Sequence, residues 1–297
     1  MRQQILTISL CCVFILSALS DVLSQPLHRT DLSNLRVNAF AQDSLGYIWI
    51  ATANGLCKSF GESYDVFFYD EADEHSIPSN LITGLYVDDA SKLWISTGKG
   101  ICSMARGKYE FHRYSQSTST GMESFFLGFV QYAGRIYTYG YNGLYEIDEK
   151  NKTLIPRIEV DRQVIYGAVT DSHGNLWLTN GAELIKLDRS LSLISKIVVG
   201  RDDVVNCMVS DREKILLGTE NGIKLLDLHS LEISDGDFPH ALDDLRINQM
   251  LPVDGGRKLL ISTRNKGALV YDMETRDVIS RYNNDEFADI PSVDINT

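Results

Sequence analysis

The residues most able to do chemistry in this chain are its histidines, and all six, His28, His75, His112, His173, His229 and His240, stand apart from one another. No HExxH and no Cys/His cluster at zinc spacing occurs, so no metal is expected. The acidic run Asp70–His75 (DEADEH) has carboxylates enough for a calcium ion. It lacks the regular oxygen spacing and central glycine of an EF loop, and reads as a solvated loop. His173, in the turn DSHG, reads as a solvated turn residue. Glycoside chemistry needs two carboxylates at set separation, and none can be singled out from 40 acidic residues without geometry. No nucleophile motif stands out, and no cofactor is implied. Asn151-Lys152-Thr153 matches a glycosylation acceptor, which matters only in a eukaryotic host.

Binding chemistry is better represented. Asn34, Arg36, Asn80, Phe125, Gln163, Asp203 and Arg246 each stand just ahead of a short apolar run. Amides and guanidinium groups can hydrogen-bond hydroxyls or carboxylates, and an aromatic face can stack on a sugar ring. The plainer alternative is that each of these side chains satisfies loop backbone groups. Either way, residues this far apart can act together only if the elements behind them recur.

They do recur. GYIWIATANGL (Gly46 to Leu56) is followed by a near-copy, KLWISTGKGI (Lys92 to Ile101), and eroded copies continue to the end. With the Thr of Trp-x-x-Thr as anchor, the series is Thr52, Thr97, Gly140, Asn180, Thr219 and Thr263. The mean interval, about 42 residues, fits four-stranded propeller blades. The chain's three tryptophans, Trp49, Trp94 and Trp177, all stand three before the anchor. Elsewhere that slot holds Tyr137, Leu216 or Leu260, so the position requires volume. A turn glycine follows the anchor at Gly55, Gly100, Gly143, Gly222 and Gly267; Glu183 in the fourth copy implies a different turn there. Asp43, Asp88, Asp171, Asp211 and Asp254 open the preceding turn.

Each unit resolves into four segments with period-two alternation, and no window has the spacing of a long amphipathic helix. A lone four-stranded meander leaves both faces bare, whereas radial stacking buries each blade on its neighbours. The sequence thus predicts an all-β protein: a β-propeller of four-stranded antiparallel blades over about 37–70, 81–115, 125–158, 164–199, 204–235 and 247–283. DIPSVDINT (Asp289 to Thr297) echoes SIPSNLITG (Ser76 to Gly84), which predicts the start of a further blade at 287–297. A ring lacking most of a blade would leave exposed edges. Either the terminal segments patch a six-bladed ring, or the chain is the front piece of a longer protein; the second is the expectation. In a propeller, the seven residues above would gather at the funnel mouth where the innermost strands begin.

Residues 1–24 differ in kind. Arg2 precedes the apolar run Ile5 to Ser20, which ends in small residues, as a cleaved signal peptide does; a retained anchor is the alternative. Beyond it, Cys57, Cys102 and Cys207 make a poor disulfide framework and read as small fillers. The net charge of −12 repels phosphate backbones, so nucleic acid is excluded as a partner.

The copies DSLGYIWIATANGL (Asp43 to Leu56), DDASKLWISTGKGI (Asp88 to Ile101) and DSHGNLWLTN (Asp171 to Asn180), with the inter-blade SIPSN (Ser76 to Asn80), resemble two-component regulator propeller repeats. The resemblance covers roughly residues 30–297 and is weakest in the third copy. It implies the periplasmic sensor of a bacterial hybrid two-component system that detects an oligosaccharide. It also implies partner segments in a longer receptor: a further propeller, a β-sandwich and a kinase, with homodimer formation open. No kinase sequence is present, so no enzyme activity is expected. A protein-binding scaffold and a glycan-active propeller enzyme are the rival readings. Against the latter, D-x-x-G-x-x-W at Asp43 and Asp171 is one residue longer than a sialidase-type Asp box.

Overall fold

The computed structural model describes residues 27–29, 33–34, 36–60, 63–116, 125–200, 203–264 and 267–282. The signal peptide and the start of a further blade predicted above lie outside these. A short strand β1 (Leu27–Arg29) precedes blade 1, which comprises β2 (Val37–Gln42), β3 (Ile48–Thr52), β4 (Gly55–Phe60) and β5 (Ser63–Phe67). Blade 2 is β6 (Ile82–Val87), β7 (Leu93–Thr97), β8 (Gly100–Met104) and β9 (Phe111–Gln116). Blade 3 is β10 (Phe126–Tyr132), β11 (Arg135–Asp148) and β12 (Thr153–Val164). Its middle strands run on as the single segment β11, because the turn residue Tyr141 itself pairs with Val164. Blade 4 is β13 (Gly167–Thr170), β14 (Leu176–Thr179), β15 (Glu183–Leu187) and β16 (Leu193–Val198). Blade 5 is β17 (Val205–Asp211), β18 (Lys214–Thr219), β19 (Gly222–Asp227) and β20 (Ile233–Ser234). Blade 6 is β21 (Ile247–Val253), β22 (Lys258–Thr263), β23 (Ala268–Asp272) and β24 (Asp277–Tyr282). Two 3-10 turns, His240–Leu242 and Asp254–Gly256, are the helical elements among the described residues. The protein is all-β: six four-stranded antiparallel blades arranged as a β-propeller.

The gradient of burial across each blade follows from this stacking. Second strands are covered on both faces, so β7 and β14 are buried at every residue, whereas the outermost β16 is largely exposed. The large residue of the second strand fills the gap to the next blade at all six seams. Trp49 packs between blades 1 and 2, Trp94 between 2 and 3, and Tyr137 between 3 and 4. Trp177 packs between blades 4 and 5, Leu216 between 5 and 6, and Leu260 between 6 and 1. Burying one such side chain contributes about 1.5–3 kcal/mol. Leu260 lies against Phe40, Ile50 and Cys57 of blade 1, so blade 6 packs directly on blade 1 and six blades close the ring. The last seam among the described residues is filled by the same slot as the others.

The Asp that opens each motif does more than turn the chain. Asp43, Asp88 and Asp171 each accept backbone N–H bonds through Oδ1 from the residues two and four places on. Through Oδ2 each accepts the indole N–H of its tryptophan, at 3.0, 2.8 and 2.8 Å. One carboxylate thus fixes both the turn and the rotamer of the wedge. The odd turn at Glu183 is also explained. Gly55 carries positive φ at the last turn position of blade 1, but in blade 4 that role passes to Gly181, at the first central position, as type II′ hairpins require.

Candidate functional site

The six innermost strands wall a central channel of about 1180 Å³. In five blades the innermost strand carries a β-bulge at its second residue: Asn38, Thr83, Leu127, Asn206 and Asn248. Strand β13 runs without one. A bulge leaves a residue out of the ladder and re-aims its side chain. Here it points along the ring. Asn38 Nδ2 donates to the Ile82 carbonyl at 2.7 Å, Thr83 Oγ1 to Phe126 at 2.7 Å, and Asn206 Nδ2 to Ile247 at 3.0 Å. Each stitches a blade to the next one's first inner residue. Asn248 is the exception: its amide lines the channel and makes no side-chain bond among the described residues.

The mouth of the channel is divided in chemistry. On one side stand Phe125, Tyr141 and Tyr166, exposed by 40%, 38% and 39%; Phe125 and Tyr166 line the channel, and the Tyr141 N–H donates to the Phe125 carbonyl at 2.8 Å. On the other side are Arg36, Arg246 and Arg264. Arg36 and Arg264 line the channel, and the Arg264 N–H donates to the Arg246 carbonyl at 2.9 Å. Glu220 sits between Arg246 and Arg264 at 3.5 and 3.8 Å and accepts a 2.9 Å bond from Asn206.

Of the seven residues suggested by sequence, Arg36 and Phe125 line the channel, and Arg246 joins them at the rim through Glu220. The other four are engaged elsewhere, three in loops and Gln163 in a strand. Asn34 Oδ1 accepts the Arg36 N–H at 2.8 Å, and Asn80 Oδ1 accepts the Tyr69 N–H at 2.6 Å. Asp203 pairs with Lys224 at 3.2 Å. Gln163 falls within β12, so it belongs to the last strand of blade 3; its Oε1 accepts from Asn180 Nδ2 at 3.4 Å. The residue that stands ahead of β13 at the channel is Tyr166. Arg264 and Asn248 were also missed. A signal existed for Arg264: it directly follows the anchor Thr263, and the post-anchor residue hydrogen-bonds the residue that begins the innermost strand, as Ala53 does Arg36.

No Asp, Glu or His lines the channel among the described residues, and burial holds the thiol of Cys207 and the hydroxyls of Tyr86 and Tyr139 in their neutral forms. Burial pushes the Cys207 thiol up to about 12. Burial, then the nearby Asp89 and Asp88, push the Tyr86 hydroxyl up to about 12. Burial also raises Tyr139, against a hydrogen bond to the Ala168 backbone. The DEADEH loop is tied to backbone: Asp70 and Asp73 cap local N–H groups, and Arg113 binds the Ser76 and Asp73 carbonyls. Among the described residues no His/Cys/Asp/Glu group suited to a metal ion is found, and no helix is long and apolar enough to cross a membrane.

Several solved structures share this architecture. The extracellular domain of a hybrid two component system from B. thetaiotaomicron superposes with a TM-score of 0.68 at 18% identity, covering 90% of this chain and 38% of its own. That of a second such system from the same organism gives 0.64 at 18% identity, covering 86% and 37%. Virginiamycin B lyase from Staphylococcus aureus gives 0.62 at 15% identity, covering 87% of both chains. The chain therefore spans about two-fifths of the two sensor-system domains; at these identities the likeness is one of fold. No curated protein sequence matches it. Residues 31–54 match the family model described as two component regulator propeller.

Proposed function

We propose that this chain is the extracytoplasmic ligand-sensing propeller of a two-component receptor, and that it takes an oligosaccharide at the mouth of its central channel. The observation that carries the reading is the divided mouth. Exposed aromatic faces at Phe125 and Tyr166 suit sugar rings, and Asn248 and the arginines opposite suit hydroxyl or acid groups. The leader over residues 1–24 supports export, to the periplasm in a bacterium. Transmission would fall to the partner segments that the repeat resemblance implies in a longer receptor: a further propeller, a β-sandwich and a kinase. Among the described residues the channel wall holds no Asp, Glu or His, the usual pair-forming acids and bases of glycan cleavage, which favours binding.

The test is calorimetric titration of acidic and neutral oligosaccharides into the purified chain. Saturable heat that is lost in Phe125→Ala and Tyr166→Ala supports the reading. Heat from none of them, with capture of a protein partner, favours a scaffold; turnover of a glycan by the same sample favours an enzyme.

A further inference from the structure

Resting on the saccharide reading above, we infer that the ligand carries an acid group, a carboxylate or sulfate, seated at the seam between blades 6 and 1 on Arg36, Arg264 and the amide of Asn248. The protein carries a net charge of −12, so a gathering of three arginines at one rim runs against its composition. Their pairing is incomplete. Among the described residues Glu220 is the carboxylate interposed, at 3.5 Å from Arg246 and 3.8 Å from Arg264, and it is already bonded to Asn206. Asp203 and Lys224 pair with each other, and Lys224 also holds Asp235. No described acceptor meets the Arg36 guanidinium. Among the described residues the rim thus presents more arginine than interposed carboxylate beside a concave wall, where charge-assisted hydrogen bonds can hold a planar acid group.

Asn248 adds an independent observation. Its bulge equivalents in blades 1, 2 and 5 spend their polar groups on the next blade's carbonyl. Blade 6 carries the same bulge, but its amide is not spent in that way and remains as a donor in the channel. At this seam, then, Asn248 of β21, Arg264 just after β22 and Arg36 just before β2 line the same space, and of the three only Arg264 meets a described carboxylate, Glu220 at 3.8 Å. The aromatic side chains stand across the mouth, on the blade 3 and 4 side. A saccharide lying over the mouth would place its ring on Phe125 or Tyr166 and its acid group on the arginines.

The experiment titrates the full chain with matched pairs: oligogalacturonides and their methyl esters, and sulfated oligosaccharides and their desulfated forms, with inorganic sulfate and free glucuronic acid alongside. The expected result is that an acidic member binds at least about tenfold more tightly than its neutral twin. Arg36→Ala and Arg264→Ala should each remove most of that difference while changing the neutral form by about twofold or less, and added salt should do the same. Arg36→Lys should retain part of the preference. Equal affinity within every pair, or binding of neutral forms alone, would overturn the acid-group inference and leave the saccharide reading standing. Heat from none of the oligosaccharides would overturn both. If sulfate alone bound as tightly as any oligosaccharide, the rim would be a site for a free anion and the ligand assignment would be overturned.

Discussion

Gln249 of the last blade clasps the backbone of Phe40 in the first: its Oε1 accepts the Phe40 N–H at 2.6 Å, and its Nε2 donates to the Phe40 carbonyl at 3.4 Å. A side-chain amide thereby supplies the two bonds that another strand would supply, across residues 209 positions apart in the chain. The seam it closes is the one with no covalent connection between its blades. Gln249→Ala would leave a buried N–H without its partner, which costs about 1–3 kcal/mol. We expect a drop of that size in urea-unfolding free energy. Hydrogen exchange should report earlier opening of β2 and β21 than of β13 and β17, since the discontinuous seam is where the ring would part first. Uniform acceleration across all six blades would show that Gln249 acts globally and not at the seam.

The Asp171–Trp177 pair predicts an acid response. At Asp171, burial alone would raise the carboxyl pKa, but hydrogen bonds from the Trp177 indole and from the Asn175 backbone and amide outweigh it, and the net shift is downward. A carboxylate with a depressed folded-state pKa stabilises the fold at pH above its unfolded value, and this contribution is lost as the pH falls through the folded one. Stability should therefore decline at pH below about 4, and Asp171→Asn should flatten that part of the profile. The variant keeps the turn but cannot ionise, so wild type and variant should converge in acid and diverge at neutral pH. Thermal melts at pH 7 and pH 3 would measure it; parallel profiles would remove Asp171 from the account.

The Trp slot was legible because volume at one strand position is needed at every seam, and three of six slots use the same rare residue. The Asp was legible as a turn residue only, since its second oxygen's bond to an indole six residues on is a matter of side-chain reach and not of pattern. The bulges left no trace: a single extra residue in an innermost strand changes neither composition nor spacing. Their side chains, Asn38, Thr83 and Asn206, look like any strand residue. Gln163 was assigned to the start of a blade because β12 runs to Val164, longer than the other outer strands. The packing of blade 6 on blade 1 was left open between two readings, since Leu260 in the last slot is an ordinary apolar residue until Phe40 and Ile50 are seen beside it.

Close approach of backbones at the bulges gives a steric prediction. A Cβ on Gly84 would stand 2.2 Å from the Leu127 carbonyl oxygen of the next blade and 2.8 Å from Ser96 Oγ. The carbonyl belongs to a neighbouring inner strand and cannot yield without moving the blade. Gly84→Ala should cost about 1–3 kcal/mol or more, whereas at Gly167 the nearest atom would lie 3.3 Å away, on a side-chain methyl. Gly167→Ala should change stability by less than about 1 kcal/mol. Paired urea titrations would decide it, and equal effects would mean that the blade 2 to blade 3 approach is looser than this geometry.

Phe125 and Tyr166 separate binding from folding. Both rings are exposed by about two-fifths, at 40% and 39%, and their backbone bonds are made by main-chain groups that alanine retains: the Phe125 carbonyl accepts from Tyr141, and the Tyr166 N–H donates to Thr179. Phe125→Ala should therefore move the unfolding midpoint little, within about 0.5 kcal/mol. Tyr166 also packs beside the position of Gly181, whose added Cβ would lie 3.4 Å from the ring, so its truncation should cost somewhat more. If the rings are the platform for a ligand, each variant should weaken saccharide binding about tenfold, as loss of an aromatic anchor does. The two should not be additive if one sugar ring spans both. A double variant that binds as the wild type does would show that the aromatic side of the mouth is surface only, and would leave the arginines to account for any affinity that remains.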